Sequence, residues 1–379
     1  MRQNIVINND KEKELIEELN GRTDIKSERI KKLLALPDLS RKDGSPIKAI
    51  VDRVMAIEDF KDLNNIAIPE IISTEILFDL FGFASDHPAR SESDTYYVDA
   101  KNVLRTHDTV FWYYYLNHPE IKKRIEKNQA FGTFCYGKVY RKDEIDRHHM
   151  NVFHQMGGLY LAPDSQKSIT FDDLKNVLAL IVKSIFGQDV KFRFVDETFP
   201  YTDPSIEVEV EINGKWMEIV GSGLPKKSVL SNFGLEGYNG WAFGFGLERL
   251  AIIKMDIPDI RLLWSQDSRI TNQLKDIDSK YKEVSKYPPI SRDISFVIDK
   301  SINLNNYYEL VRDLAENLIE EVKLVDQYEN EEKFGADKKS YTFHIVYRSL
   351  EKTLTDAEVN KIHDKITEKT KEEFNAIIR

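Results

Sequence analysis

The sequence predicts an α+β protein built from more than one domain. Its 379 residues exceed a single ordinary domain and suit two or three. Between Phe131 and Val220 strand signals dominate, and one helical segment, Phe171 to Ile185, interrupts them. Behind a polar stretch at 265–284, a separate strand, helix, strand, strand, helix pattern runs to the end of the chain. Antiparallel strands flanked by helices imply an α+β architecture and not a doubly wound parallel sheet.

The first 25 or so residues include KEKELIEELN, a charged segment expected to form a peripheral helix, and Ser27 to Leu36 predicts a second. Residues 46–63 carry Ile47, Ile50, Val51, Val54, Met55 and Ile57 at helical spacing, with Pro46 near the start, where proline is tolerated. Pro69 lies in the strand-like stretch Ala67 to Ile72, which predicts an edge strand. GTFCYGKVYR, NVFHQMGGLYLA, KFRFVDETF, IEVEVEI and KWMEIVG have strand-type content, several with alternation. Thr170 followed by Asp173 is a loose capping box for the helix among them. The run 265–284 reads as a helical linker. Beyond it, strands are expected at Asp293–Ile298, Val322–Tyr328 and Ser340–Tyr347, and helices at Asn306–Glu321 and Asp356–Ile378. The resulting division is an N-terminal helical extension (1–45), a central domain (46–264), the linker and a C-terminal domain (285–379).

Apolar residues make up 41% and charged residues 31%, a globular composition with ample material for a core. The one cysteine, Cys135, excludes a disulfide framework and is expected as a small buried strand residue. No apolar run approaches the roughly 20 residues needed to cross a bilayer. The N-terminus is acidic where an organelle transit peptide would be rich in Arg and Ser. A cytoplasmic, bacterial-type location is therefore expected, with a mitochondrial or other organelle matrix as the alternative if a leader is absent. A net charge of −10 argues against a general nucleic-acid binder but leaves room for local basic contacts to phosphate.

Three segments carry chemistry. In KVYRKDEIDRHHMNVFHQ, Arg141 ends a strand and Asp143 follows two positions later. A planar guanidinium there can clamp a phosphate and the carboxylate can hold an amino group, although this spacing alone reads more readily as a surface ion pair. In GWAFGFGLERLAIIK, Gly244 and Gly246 permit close backbone approach, and Arg249 falls in the first turns of a helix. The macrodipole does not favour a cation there, so a bound anion or a stacked base would explain it, although the segment alone reads more readily as an ordinary strand-to-helix turn. In DETFPYTDPS, Phe199 and Tyr201 flank a stiffening proline and could form a flat slot for an aromatic ligand, or simply pack inward. His148, His149 and His154 lie close in sequence, and alternation would put His148 and His154 on one strand face. Without CxxC or HExxH, they are expected as structural or substrate-contacting imidazoles and not as a zinc site.

In this order the segments resemble the class II aminoacyl-tRNA synthetases, most closely phenylalanyl-tRNA synthetase of the single-chain mitochondrial type. Pro69-Glu70 resembles the first motif, YRKDEIDRHHMNVFHQ the second and GFGLER the third. DHPAR, LRTHDT and FPY resemble segments that the family carries as well, and KYPPISRDISFVI resembles the opening of its ferredoxin-fold anticodon-binding domain. The resemblance implies a class II antiparallel sheet flanked by helices, a C-terminal ferredoxin-like sandwich, and an ATP-dependent phenylalanine--tRNA ligase acting as a monomer on L-phenylalanine, ATP and tRNA(Phe). It implies that Arg141 contacts the ATP α-phosphate and Asp143 the adenine amino group, that Phe153 and Arg249 sandwich the adenine, and that His149 and Gly246 belong to the same ATP half. His107, Thr109 and Gln155 would surround the substrate ammonium. Phe199 and Tyr201 would pack edge-to-face on its phenyl ring, with Ala242 and Gly244 leaving room. Glu207 and Glu218 would hold Mg²⁺.

Three positions depart from the family pattern: Thr109 for serine, Tyr201 for phenylalanine, and Gly157 for a glutamate that helps bind the ammonium. Either another carboxylate or a water compensates for Gly157, or the affinity for phenylalanine is weak. The alternative is a synthetase-like paralogue with altered amino-acid specificity, or a tRNA-binding protein that does not charge. In the C-terminal unit, Lys338, Lys339, Arg348 and Lys352 are candidate tRNA contacts or a solvated face. Deleting 285–379 is expected to spare amino-acid activation and abolish charging.

Overall fold

The structure, a computed structural model, describes residues 2–282 and 287–379. Its strands up to the polar stretch are β1 (Asn4–Val6), β2 (Asn64–Ala67), β3 (Ile71–Ser73), β4 (Asn102–Leu104), β5 (Phe131–Tyr140), β6 (Val152–Pro163), β7 (Phe192–Phe199), β8 (Thr202–Ile212), β9 (Lys215–Pro225) and β10 (Tyr238–Gly246). β3 and β4 pair with each other. The other eight form one sheet in the order β1-β2-β5-β6-β10-β9-β8-β7. β5 to β10 pair antiparallel, whereas β1 with β2 and β2 with β5 are parallel.

Alternation along the long central strands sorts their side chains onto two faces. Met156, Phe243 and Phe245 pack with the helices Pro46–Met55, Phe171–Phe186 and Leu247–Met255. Cys135, Leu159, Leu161 and Ala242 face Phe111, Trp112 and Tyr115 of the helix Phe111–Leu116. The helix Phe171–Phe186 buries Leu174, Leu178, Ile181, Val182 and Ile185, and its capping box is complete in both directions. Each such side chain contributes about 1.5–3 kcal/mol by leaving water, and the cap about 1 kcal/mol more.

Several elements differ from the expectations. The N-terminal segment contributes β1 to the large sheet as well as the helix Asp10–Asn20, and a second helix spans Ile25–Ala35. The helix beginning at Pro46 stops at Met55, and a separate 3₁₀ turn covers Glu58–Phe60. Pro69 falls between β2 and β3, so its missing N–H costs no ladder bond, and β2 is an inner strand covered by β1. Within 265–284, the described residues form short turns at Ser268–Thr271 and Gln273–Lys275, and Ile270, Leu274 and Ile277 are buried in the larger core. This stretch is packed structure and not a free spacer.

The C-terminal unit contains β11 (Ile290–Asp299), β12 (Ile319–Tyr328), β13 (Lys338–Tyr347) and β14 (Ile377–Ile378), in the order β12-β13-β11-β14. The helices Asn305–Ala315 and Asp356–Phe374 share its core through Tyr307, Val311, Val359 and Ile366. The helix expected to reach Glu321 ends at Ala315, because Glu316 takes a positive φ of 49° and Ile319 starts pairing with β13. Cross-strand pairing outweighs the helical propensity of Glu320 and Glu321. The last helix likewise ends at Phe374, and β14 returns to β11.

The two units touch through the loop that follows β5. Ile145 is buried in the C-terminal core, and the Val322 amide donates to the Ile145 carbonyl at 2.9 Å. Arg312 donates to the carbonyls of Asp143 and Glu144. Arg29, from the N-terminal segment, pairs with Asp313 at 2.6 Å.

Candidate active site

One row of residues crosses the centre of the large sheet: Cys135, Gly157, Gly244, Gly221 and Glu207, directly opposite one another on β5, β6, β10, β9 and β8. In a neighbouring row on the same face, Ala242 faces Gly223. Glycine or alanine at alternate positions of adjacent strands strips this face of bulk. A cavity of about 430 Å³ opens above it. Every site residue expected from the sequence lines this cavity, together with Asp108, Phe111, Trp112 and Glu248.

At one end the walls are charged. Arg141 follows β5, and its Nε donates to the Thr106 carbonyl at 2.8 Å. Its guanidinium carbon stands 5.3 Å from the Phe153 ring centroid. Burial pulls the Arg141 pKa down and the Asp143 carboxylate opposes that, yet a guanidinium remains charged. Arg249 is the third residue of the helix Leu247–Met255, directly after Gly246, where a Cβ would meet open space. It pairs with Glu218 at 3.2 Å, so its nearest anionic partner is a side chain. Phe153 and Arg249 both face the cavity, but the cation over the Phe153 ring is Arg141.

The histidines separate. His148 and His149 lie in the loop before β6, not on a strand. The Asp146 carboxylate accepts the amides of both, and its Oδ2 lies 2.9 Å from His149 Nδ1, a bond that raises the His149 pKa. His154 is fully buried on β6, with Nδ1 2.6 Å from Glu248 and Nε2 3.3 Å from Asp38. Burial opposes its charge, but the two carboxylates outweigh burial and lift it to about 9. His154 thus ties the N-terminal segment and the helix Leu247–Met255 to β6.

On the acidic side, burial and then the charge of Glu218, followed by Glu197 and Glu209, push Glu207 up to about 7. Like charges held this close favour a cation among them. No group of three or more His, Cys, Asp or Glu suited to a metal occurs among the described residues.

The other end is aromatic. Phe199 and Tyr201 stack nearly parallel, with centroids 6.1 Å apart and planes 13° apart. Tyr201 meets Phe81 and Trp112 edge-on, at 6.2 and 6.1 Å. A Cβ on Gly221 would come within 2.9 Å of the Phe199 ring, so glycine there makes space for the slot. The Tyr201 pKa is raised by burial, while a hydrogen bond from Thr109 acts the other way. Two departures from the family pattern therefore touch each other. His107 is held neutral, at about 3, by burial and then by the charge of Arg141. The Gln155 side-chain oxygen accepts the Asp108 amide at 3.0 Å.

Sequence reading passed over Asp108 and Glu248. Both sit inside motifs already singled out, LRTHDT and GFGLER, and the signal available was an acidic residue beside an assigned neighbour. Cys135 is buried on β5 as expected. Of the tRNA candidates, Lys339 pairs with Glu329 at 3.2 Å, Arg348 with Glu320 and Lys352 with Glu358.

Comparison with known proteins agrees with this architecture. Residues 35–274 match the class II core domain (F) of tRNA synthetases, and residues 285–379 match the ferredoxin-fold anticodon-binding domain. The chain is 38% identical to a chloroplastic/mitochondrial phenylalanine--tRNA ligase of Arabidopsis thaliana, over 90% of this chain and 80% of that one. It is 34% identical to the mitochondrial enzyme of Mus musculus (79% and 72% covered) and 32% identical to that of Saccharomyces cerevisiae (84% and 83% covered). With the fold, the cavity and these matches in agreement, the chain belongs to the class II tRNA synthetases, in the family of the phenylalanine--tRNA ligases.

Proposed function

We infer that this chain is a phenylalanine--tRNA ligase, which activates L-phenylalanine with ATP and passes it to tRNA(Phe). The observation that carries this reading is one cavity with two unlike ends, a charged end around Arg141 and Arg249 and an aromatic slot at Phe199 and Tyr201. A nucleotide triphosphate matches the first and a phenyl side chain the second.

The phenylalanine carboxylate attacks the α-phosphorus in line, and pyrophosphate leaves. Arg141 stabilises the charge that develops on the phosphoryl oxygens. Asp143 receives the adenine amino group, Phe153 and Arg249 hold the ring, and His149 and Gly246 complete the nucleotide wall. His107, Thr109 and Gln155 surround the amino-acid head group, while Ala242 and Gly244 keep the floor low. Holding both reactants in one geometry removes much of the entropic barrier. Glu207 and Glu218 fit a Mg²⁺ site that phosphate oxygens complete, since this ion accepts one or two carboxylates with the rest of its shell supplied by phosphate and water. When bound there it supplies positive charge to the triphosphate.

The ribose hydroxyl of the tRNA end, the 2′-hydroxyl by family resemblance, then attacks the aminoacyl carbonyl, its proton is lost, and AMP leaves as the mixed-anhydride bond breaks. The C-terminal unit recognises the anticodon, and the chain works as a monomer. The organellar names among its relatives favour an organelle matrix over a bacterial-type cytosol. No helix among the described residues is long and apolar enough to cross a membrane.

Phenylalanine-dependent exchange of pyrophosphate into ATP tests the assignment. Exchange with phenylalanine, and markedly weaker exchange with tyrosine, is the expected result. No exchange at millimolar phenylalanine would overturn it.

A further inference from the structure

The aromatic end of the cavity holds a buried carboxylate oxygen without a hydrogen-bond partner, Asp108 Oδ2. Asp108 is 5% exposed, and its Oδ2 makes no hydrogen bond. Among the described residues, no Lys, Arg or His lies within ion-pair distance of it. The carboxylate takes backbone hydrogen bonds from the Asp108 and Thr109 amides and feels the charges of Arg105 and Arg141, which leaves Oδ2 as the unsatisfied acceptor. A buried acceptor left unpaired is costly, and a ligand donor there would satisfy it. The surroundings hold the group in place. The Gln155 side-chain oxygen accepts its amide at 3.0 Å, and its own carbonyl accepts the Phe111 amide at 2.9 Å, at the start of the helix Phe111–Leu116.

The sheet is cut away to admit it. A Cβ on Gly157 would fall 2.4 Å from Asp108 Oδ2, and one on Gly244 would fall 3.5 Å from Oδ1. The carboxylate therefore occupies the volume that a side chain at 157 would fill. It sits above the glycine row, in the same cavity as the Phe199 and Tyr201 slot. A ligand with its ring in that slot and its reacting carboxylate toward Arg141 carries its α-ammonium between the two.

We propose that Asp108 is the counter-ion of the α-ammonium of the amino-acid substrate, and that Gly157 is glycine because Asp108 occupies its side-chain space. This rests on the reading of the cavity as the phenylalanine-activating site. The ammonium donates to Oδ2, so the free amino acid is preferred over analogues without that group. Asp108 selects for the amino acid as a class, while the aromatic slot selects the side chain.

The test measures pyrophosphate exchange by the full chain, wild type against Asp108→Asn and Gly157→Ala, with 3-phenylpropanoic acid as an inhibitor that lacks the ammonium. Asp108→Asn is expected to raise KM for phenylalanine by roughly 10- to 100-fold, as for loss of one charge-assisted hydrogen bond. KM for ATP and inhibition by 3-phenylpropanoic acid should stay within about threefold of wild type. Gly157→Ala should shift the phenylalanine KM in the same direction by pushing the carboxylate aside. An unchanged phenylalanine KM in Asp108→Asn would overturn the proposal, and so would equal losses for phenylalanine and 3-phenylpropanoic acid. If Asp108→Asn does not fold, Gly157→Ala alone decides by the same two comparisons. If wild type gives no phenylalanine-dependent exchange, the functional assignment itself fails, which is a separate outcome.

Discussion

Replacing Asp108 by asparagine should make the unliganded protein more stable, and increasingly so as pH rises. Burial pushes this carboxyl from 3.8 up to about 7. The unfolded chain ionises near 3.8, so between that value and about 7 the folded state holds the extra proton. Stability falls with pH across this window and stays low above it. Each unit of pKa difference corresponds to about 1.4 kcal/mol, so between pH 5 and pH 8 the wild type loses about 2–3 kcal/mol from this group alone. Asparagine has the same shape and does not titrate, so the variant escapes that loss. Glu207 also lies near 7 and His154 near 9. They titrate in both proteins, and their effects cancel in the difference. Thermal melts without ligand at pH 5, 6, 7 and 8 provide the assay. The gap in Tm between variant and wild type should widen by on the order of 5 °C over that range. Saturating phenylalanine should narrow the gap by stabilising only the wild type appreciably. A gap that is constant or shrinks with pH would refute the reasoning, because Asp108 would then be ionised with an adequate partner already in place.

Glu207→Gln should raise the Mg²⁺ concentration needed for half-maximal exchange, and the wild type should need more Mg²⁺ at pH 6 than at pH 8, because Glu207 takes up a proton below about 7. Equal requirements at both pH values would remove it from the cation site. Glu248→Ala leaves the buried His154 cation with Asp38 only and should cost about 3 kcal/mol in urea unfolding. The stability from His154 in the wild type is fully present below pH 6.5 and fades as pH rises through about 9. Arg312→Ala frees the carbonyls of Asp143 and Glu144 and should raise KM for ATP several-fold in exchange while sparing KM for phenylalanine. Removal of 285–379 should act in the same direction, contrary to the expectation from sequence that activation survives it intact.

The parts of the fold that sequence revealed are those governed by local pattern. The five long strands between Phe131 and Pro225 alternate or carry β-branched residues, and the helix from Phe171 has both its apolar stripe and its cap within a few residues. β1 is not legible because three residues in a polar stretch carry no periodic signal, and pairing with β2 alone makes them a strand. The segment Ile319–Glu321 was read as helix for the same reason, since its strand character comes from β13. Motif order places Arg141 and Arg249 at one cavity, although alone the first reads more readily as a surface ion pair and the second as part of a strand-to-helix turn. Asp108 is not legible in the sequence, because the space that holds its Oδ2 depends on Gly157, which is distant in sequence and whose Cβ would fall 2.4 Å from it.

Ile145 belongs by sequence to the loop that carries Asp143 and His149 into the cavity and by packing to the core of the C-terminal unit. The two parts of this chain are therefore not interchangeable modules. A chimera that took its C-terminal unit from a relative would have to bring a matching socket for Ile145, an equivalent of Arg312, and a strand edge able to donate to the Ile145 carbonyl as Val322 does. Without these, a well-folded transplant would leave the loop between β5 and β6 without its anchor.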